Sequence, residues 1–416
     1  MGSAEPRSAD YLNIYSSLLN IKVATADILT AEEEYVCQLI SSRLRRVSLV
    51  YFPEPLLQLY TPSDDLRLFF VSNIVRIICN QRDSRFSIND IIDDFCRESY
   101  GQVHEKIQLQ LQQAVFAALG LVTFLYAAST DGYHPENFTA ENAGREYLPR
   151  QCSSALADRR LFALLTKLDV LPSIGSAHSN SILEGSEELL HAWSVSYDFL
   201  SQICDINIVW TDSLNLHLHI NPDSRQLFLF RFPSYCVVNL YGKASGSIFH
   251  RVLDEYNGQV PGRAHRNQEQ SNSQAFLLEV IQSYRVIFCD AQSRKKFAST
   301  LRGLLESEEK VDNILVQLCE QSTVPSDSPV FSQIQDRDAY NVLHNFPILR
   351  NRLLTLKRYG MSYDPMKVRQ IIRDRRHPLE RLNMRVVVVF GVFSLLLGFL
   401  QVVVGTVQLV YAVRHD

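Results

Sequence analysis

Two histidines, His217 and His219, form the pattern in this sequence best suited to chemistry. Each lies between aliphatic residues in a segment of two-residue alternation, so both imidazoles should project from one face of a strand. Histidines at that spacing can bind zinc or iron, but a metal site needs at least one more ligand. Asp212 and His250 are candidates that nothing in the sequence ties to the pair. We interpret the two histidines as the polar face of a half-exposed hairpin, with a metal site as the alternative.

Other residues that can act as acids, bases or nucleophiles do not form a catalytic pattern. The adjacent carboxylates Asp93-Asp94 and Glu187-Glu188 would point to different faces of a helix, which suits a solvated surface better than acid–base catalysis. Cys289 has no histidine near it in the sequence to activate it as a nucleophile. The Walker, Rossmann, G-x-S-x-G and H-E-x-x-H patterns are absent from the sequence. We expect no catalytic residue and no cofactor.

The eight cysteines are scattered along the chain and include no C-x-x-C pair. Their spacing therefore does not fit a zinc finger. In a cytosolic protein we expect them to be reduced and mostly buried, without disulfides.

The segment Val386–Val413 contains no charged side chain. It is longer than the ~20 helical residues that cross a hydrocarbon core of about 30 Å, so we expect one transmembrane helix close to the C-terminus. The run Ala114–Ala128 is also apolar, but its fifteen residues would reach only about 22 Å. We expect a buried core helix there, with a second membrane segment as the alternative.

Charge is distributed unevenly along the chain, whose formal net charge is −4. Between Arg350 and Arg385, eleven lysines and arginines stand against three acidic residues, so the part before this basic stem carries about −12. Basic residues close to a membrane span stay in the cytoplasm. Since residues 1–37 also lack the apolar run of a secretory signal, we expect a tail-anchored protein with a cytosolic body, preferably in the endoplasmic reticulum. The stem should contact anionic lipid rather than nucleic acid. The arginines expected at lipid headgroups are Arg373, Arg375, Arg376, Arg381 and Arg385.

A stripe of small and polar residues runs along the predicted membrane helix. It comprises Gly391, Ser394, Gly398, Gln401, Gly405, Gln408 and Ala412. At about 100° per residue these positions fall within roughly 100° of the helix circumference. Small residues let helices approach closely in lipid, and side-chain amides pair with one another there, so we interpret the stripe as a packing face. The alternative is that glycine is simply tolerated in membrane helices.

The rest of the chain is predicted to be mainly helical, with one small antiparallel β-hairpin. A capping-box pattern at Thr30–Glu33 starts one helix, and further helices begin after Ser63 and Ser87. The hairpin joins Leu214–Ile220 to Leu227–Phe232. Other predicted segments are a loop at Ser129–Arg150, helices over Leu161–Leu171, Glu187–Cys204, Phe276–Leu304 and Lys310–Cys319, and an optional third strand at Ser234–Tyr241. The predicted regions are an N-terminal helical region (1–171), a helix, hairpin and helix region (187–320), the basic stem (333–385) and the membrane helix (386–413).

Three motifs in the C-terminal half form a signature. They are Val209-Trp-Thr-Asp-Ser-Leu214 with His219, Phe230-Arg-Phe-Pro-Ser-Tyr-Cys236, and Arg373-Asp-Arg-Arg-His-Pro378 before the membrane helix. Over roughly residues 205 to 412 this signature resembles filamentous-fungal single-pass membrane proteins with a C-terminal anchor, a family of unknown function. Genes of that family sometimes lie in or near secondary-metabolite clusters. The resemblance implies a fungal host and the same membrane topology, and it assigns no functional residue.

These features predict a non-enzymatic adaptor or scaffold on an intracellular membrane, with an accessory role in fungal secondary metabolism. Its expected partners are membrane lipid and, through the stripe, a second copy or another membrane protein. Two other functions stay open: a membrane-associated enzyme with a metal site on the His217/His219 hairpin, and an oligomeric pore lined by the glutamines of the stripe.

Overall fold

The computed structural model describes residues 30–46, 63–80, 86–99, 105–129, 136–141, 149–171, 189–241, 247–257, 272–301, 310–321, 331–334, 336–363, 370 and 378–415. Within these residues the chain forms fourteen α-helices and eight short strands. The prediction of a mainly helical protein with one long apolar helix near the C-terminus is confirmed.

Four helices precede the first strand. They are α1 (Ala31–Arg46), α2 (Ser63–Asn80), α3 (Ile88–Ser99) and α4 (Glu105–Thr123). The predicted capping box starts α1: the hydroxyl of Thr30 accepts the N–H of Glu33 at 3.2 Å, and the Glu33 carboxylate accepts the N–H of Thr30 at 2.9 Å. Helix α4 is buried along most of its length and ends before Phe124, whose φ is 54°. The predicted core helix at Ala114–Ala128 is confirmed as far as Thr123, while Ala127–Ala128 form a short strand instead.

A three-stranded antiparallel sheet lies where the sequence predicts a loop. Its strands pair in the order β1 (Ala127–Ala128), β2 (Asn137–Glu141), β3 (Arg150–Ser153). In β2, Phe138 and Ala140 are fully buried while their neighbours are partly exposed. The loop prediction is wrong at β2. Only two residues of this strand are buried, and so short an alternation of apolar and polar residues is not recognisable within a polar segment.

A second sheet contains the predicted hairpin. Strand β6 (His219–Asn221) pairs antiparallel with β7 (Gln226–Phe230), and β5 (Asn207–Thr211) pairs with β7 in parallel. The predicted strand at Leu214–Ile220 is wrong over its first part, since residues 214–216 form a 3-10 turn. Leu218 then has a φ of 61°, so the backbone leaves the extended conformation that the alternation requires.

Two other secondary-structure predictions in this region need correction. The predicted helix over Glu187–Cys204 is wrong in its first half, which holds β4 (Leu189–His191) and a 3-10 turn. The helices there are short: α5 (Leu161–Lys167), α6 (Tyr197–Ile203) and α7 (Pro233–Tyr241). Helix α7 replaces the optional third strand, because a proline is favoured in a first helical turn and the Asp312 carboxylate accepts the N–H of Ser234 at 2.8 Å.

The core is centred on one helix that is buried on nearly all sides. Four helices follow α7: α8 (Ile248–Asn257), α9 (Asn272–Ile287), α10 (Ala291–Thr300) and α11 (Asn313–Glu320). Helix α9 packs against α7, α8 and α11, and it carries seven side chains with no exposed surface within the apolar core: Phe276, Leu277, Val280, Ile281, Tyr284, Val286 and Ile287. The predicted helix over Phe276–Leu304 is two helices, since the Asp290 side chain accepts the N–H of Ser293 and starts α10.

The first part of the predicted basic stem packs into this body. Strand β8 (Ala339–Asn341) pairs antiparallel with β4. Helices α12 (Val342–Asn345) and α13 (Arg350–Ser362) follow, and α13 packs against α6. Gly360 of α13 is buried in that contact, where an added Cβ would lie 2.8 Å from the ring of Phe199. The final helix, α14 (Pro378–His415), contains the predicted membrane helix (386–413) and begins eight residues before it, at a proline, which is favoured in a first helical turn.

We expect Gly360→Ala to lower the free energy of unfolding by about 1–3 kcal/mol, because the new methyl group has to displace the Phe199 ring or α13. The matched control is Thr355→Ala on an exposed position of the same helix, which should change stability by less than about 0.5 kcal/mol. Denaturant unfolding of the full chain in detergent, followed by near-ultraviolet circular dichroism, measures both. Equal stability of the two variants would contradict the close contact between α13 and α6.

Candidate membrane anchor and buried polar sites

Within the described residues, α14 contains the one segment that is long and apolar enough to cross a membrane. This segment, Val386–Tyr411, has 26 residues, a mean hydropathy of 2.7 and no burial against the body. A helix of that length spans about 39 Å, which exceeds a hydrocarbon core of about 30 Å and allows a tilted crossing. Its length, apolarity and exposure are consistent with membrane anchoring.

The predicted packing stripe lies along this single continuous helix. All seven of its residues belong to α14: Gly391, Ser394, Gly398, Gln401, Gly405, Gln408 and Ala412. An added Cβ at Gly391, Gly398 or Gly405 would meet nothing within 4 Å, so the described body does not cover this face. The role of the stripe in helix packing stays a prediction.

The five arginines predicted at lipid headgroups fall into two groups. Arg381 and Arg385 lie in the first turns of α14, directly before its apolar segment. Arg373, Arg375 and Arg376 lie outside the described residues. Lipid contact by these side chains stays a prediction.

His217 is fully buried, and both of its ring nitrogens have partners within the protein. Nδ1 accepts the N–H of Phe230 at 3.1 Å, so Nε2 carries the proton and donates to the hydroxyl of Ser283 at 2.6 Å. Burial, with a smaller effect of the nearby Arg352 charge, lowers the pKa of His217 to about 3. The neutral imidazole therefore joins β7 to α9. The interpretation of His217 as part of a half-exposed polar face is wrong, because the residue follows a 3-10 turn and its ring is buried between these two elements.

The other candidate metal ligands lie in different surroundings. His219 is in β6 and partly exposed. Asp212 forms ion pairs with Arg43 and Arg231. His250 lies in α8, where a serine hydroxyl and a backbone carbonyl contact its two ring nitrogens. In the part of the chain that the structure describes, no group of three or more His, Cys, Asp or Glu side chains could hold a metal ion.

Among the residues that the structure describes, the cysteines and the Asp93-Asp94 pair do not come together in a shared site. All eight cysteines are free thiols and six of them are buried, as the sequence predicts. Burial, together with the nearby Asp290 charge, raises the pKa of Cys289 to about 12, which disfavours its thiolate form at neutral pH. Asp93 is exposed, and Asp94 pairs with Arg97 one turn along α3. Glu187 and Glu188 lie outside the described residues.

Sequence reasoning missed a buried carboxylate, Glu279, on α9. It accepts the N–H of Ile348 at 3.0 Å and the N–H of Leu349 at 2.7 Å, at the N-terminus of α13. Such N–H groups have no partner within their own helix, and the helix dipole favours an acid there. Burial raises the pKa of Glu279 to about 8, although the two N–H groups oppose this shift. The available signal was an acidic residue between apolar neighbours, in the run Phe276-Leu-Leu-Glu-Val-Ile281.

Two more buried ionisable groups hold helix ends. The carboxylate of Asp312 accepts the N–H of Ser234 and the N–H of Ile314, both at 2.8 Å, so it caps α7 and α11 together. Burial raises its pKa to about 6. Arg285 of α9 is also fully buried, and its guanidinium donates to carbonyl groups at the end of α11 while pairing with Asp336. These charged groups are used to position helices.

The raised pKa of Glu279 predicts a pH-dependent stability. The native state keeps a proton that the unfolded chain releases above its pKa of about 4.5, so the free energy of unfolding should fall as pH rises towards 8. The loss should approach 1.4 kcal/mol for each pH unit within that window. Glu279→Gln should lose this part of the pH slope, because its amide stays neutral and its oxygen can take the place of Oε2, which accepts both N–H groups.

The matched control is Glu320→Gln, an exposed carboxyl in the last turn of α11. Denaturant unfolding of the full chain in detergent between pH 5 and pH 8.5 gives the three slopes. If the free energy of unfolding of Glu279→Gln depended on pH as steeply as that of the wild type and the control, the raised pKa assigned to Glu279 would be wrong.

Comparisons with known proteins provide no relative for this chain. No family model, no curated protein and no solved structure matches it.

Proposed function

We propose that the protein is a non-enzymatic adaptor or scaffold held at an intracellular membrane by α14, with its body in the cytosol. The observation that carries this proposal is the 26-residue apolar segment Val386–Tyr411, which lies uncovered beyond a well-packed body. A fully exposed apolar helix of this length is unfavourable in water, since each buried CH₂ group is worth about 0.8 kcal/mol. Lipid is the environment that removes this cost.

Charge supports the cytosolic orientation of the body. Eleven lysines and arginines lie between Arg350 and Arg385, immediately before the apolar segment. Basic residues near a span are retained in the cytoplasm, and each one close to an anionic surface contributes about 1 kcal/mol of attraction. Arg381 and Arg385, which begin α14, are therefore proposed to lie among the headgroups, as are Arg373, Arg375 and Arg376.

The use of the buried polar side chains supports a binding role rather than catalysis. His217, Glu279, Arg285 and Asp312 each bond to backbone groups of a neighbouring element. Such contacts build a stable shape for presenting surfaces to other molecules. The proposed partners are membrane lipid and another membrane protein or a second copy, bound through the stripe of α14.

The proposed host and organelle rest on the sequence alone. The signature over roughly residues 205 to 412 supports a filamentous fungus and an accessory role in secondary metabolism. The long, glycine-containing apolar segment favours the endoplasmic reticulum over the mitochondrial outer membrane. Proximity labelling from the N-terminus would report both the organelle and the neighbouring proteins.

Membrane insertion and orientation are tested together in sealed microsomes. We expect the full chain to resist alkaline carbonate extraction, and protease added outside the vesicles to digest the body. Leu400→Arg with Val403→Arg should release the protein, since each arginine at a span centre costs about 2.5–3.5 kcal/mol. The control, Leu400→Ile with Val403→Leu, should remain inserted. Extraction of the wild type, or a protected body, would overturn the proposal.

The packing face is tested by changing the stripe without changing insertion. Gln401→Leu with Gly398→Ile should reduce crosslinking of α14 to itself or to a partner, because it removes an amide and blocks close helix approach. An effect of several-fold is expected, since interhelical hydrogen bonds contribute about 0.6–2 kcal/mol. Leu400→Ile with Val403→Leu, on the opposite side of the helix, is the matched control. Unchanged crosslinking in the stripe variant would show that this face does not pack.

A further inference from the structure

Outside α14, the described residues include three large apolar side chains that are strongly exposed. Leu189 is 47% exposed, Leu343 is 44% exposed and Met361 is 43% exposed. Single exposed apolar residues are common on protein surfaces and need no explanation, whereas a group of them indicates an interaction site. The three belong to β4, α12 and α13, which are separate elements in the sequence.

Backbone pairing and two side-chain hydrogen bonds bring these three residues to one region. Leu189 of β4 is paired opposite Asn341 of β8, and the Asn341 side chain accepts the N–H of Leu343 at 3.0 Å. The ammonium group of Lys357 on α13 donates to the carbonyl of Leu189 at 3.1 Å. Met361 lies one turn beyond Lys357 on the same face of that helix.

Basic side chains lie within and beside this region. Lys357 lies within it, and Arg358 beside Lys357 is exposed. His344, next to Leu343, is also exposed. A lysine stem can cover apolar surface while its ammonium group stays at a polar boundary. Apolar side chains beside basic ones are typical of surfaces that bind anionic membranes.

The position of the region along the chain places it within reach of the bilayer. Met361 lies in the last turn of α13, and fourteen residues separate Tyr363 from Pro378. Even fully extended, fourteen residues reach no more than about 50 Å. A chain of at most that reach therefore joins α13 to the anchor, so the region can meet the bilayer that holds α14.

We propose that Leu189, Leu343 and Met361, with Lys357 and Arg358, form a membrane-docking patch that rests on the bilayer holding α14. The proposal rests on the membrane anchoring proposed above and adds a fixed orientation of the body. Although the acidic body as a whole is repelled by anionic lipid, this patch turns a basic and apolar end towards it. The opposite surfaces of the body then face the cytosol and its partners.

The test uses the full chain in vesicles of phosphatidylcholine with about 30% phosphatidylserine, some of it carrying bromine on the acyl chains. Leu343→Trp places a reporter at an exposed position of the patch, where the larger ring fits without repacking. Arg97→Trp places a control reporter on α3, which packs against α2 and α4. We expect bromolipid to quench the reporter in the patch about twofold or more beyond the control reporter.

Charge and lipid composition give a second readout. Lys357→Glu with Arg358→Glu should abolish the excess quenching, as should vesicles of phosphatidylcholine alone. If quenching stayed complete after both changes, the proposed role of Lys357 and Arg358 in binding anionic lipid would be wrong.

Three other outcomes are equally decisive. Quenching of the patch reporter no stronger than that of the control, in a chain that resists carbonate extraction, overturns the docking patch and leaves the anchor intact. A reporter shielded from acrylamide but not quenched by bromolipid shows that protein covers the patch, and also overturns the proposal. Release of the chain by carbonate overturns the membrane anchoring itself.

Discussion

The fold depends on partners for the polar side chains that α9 carries into the core. Glu279, Ser283, Tyr284 and Arg285 are buried on this one helix, and each bonds to a different element of the body. An unpaired buried polar group costs about 1–3 kcal/mol, and an unpaired charge costs more. All of these partners must therefore be in place at once. A rotation or slip of α9 would break several of them together, which fixes its register against β7, α11 and α13.

This arrangement connects the anchor to the centre of the body. Helix α13 is held at its N-terminus by Glu279, and Arg352 on its first turn donates to the carbonyl of His217 at 2.6 Å. Further along, Lys357 donates to the carbonyl of Leu189. Arg352, one of the basic residues counted in the stem, thus has its partners inside the body. Helix α13, which belongs to the basic stem, is packed into the body. The net charge of the whole stem therefore overstates the charge that is available to lipid.

The sequence was sufficient wherever a local pattern decides the structure. The capping box at Thr30–Glu33 and the apolar length of α14 are signals of that kind, since each depends on residues close together in the chain. The sequence was insufficient where contacts between residues far apart in the chain determine the local structure. The sequence of α7 is compatible with a strand, and its first helical turn depends on the cap that Asp312 provides from far along the chain. The sequence around His217 is typical of the polar face of a hairpin, but the side chain is buried because Ser283 provides a hydrogen-bond partner in the core. Neither contact can be recognised from the sequence around α7 or around His217.

The two faces of α14 differ in what they require from their surroundings. Thr406 satisfies its hydroxyl within the helix, by donating to the carbonyl groups of Val402 and Val403 at 3.0 and 2.8 Å. A glutamine amide has two N–H donors and one acceptor on a flexible side chain, so Gln401 and Gln408 place greater demands on a hydrocarbon environment. Lipid alone can cover the valine and leucine faces. The glutamine face gains most from a second polar helix, and the adjacent glycines are the residue type that allows such a helix to approach closely.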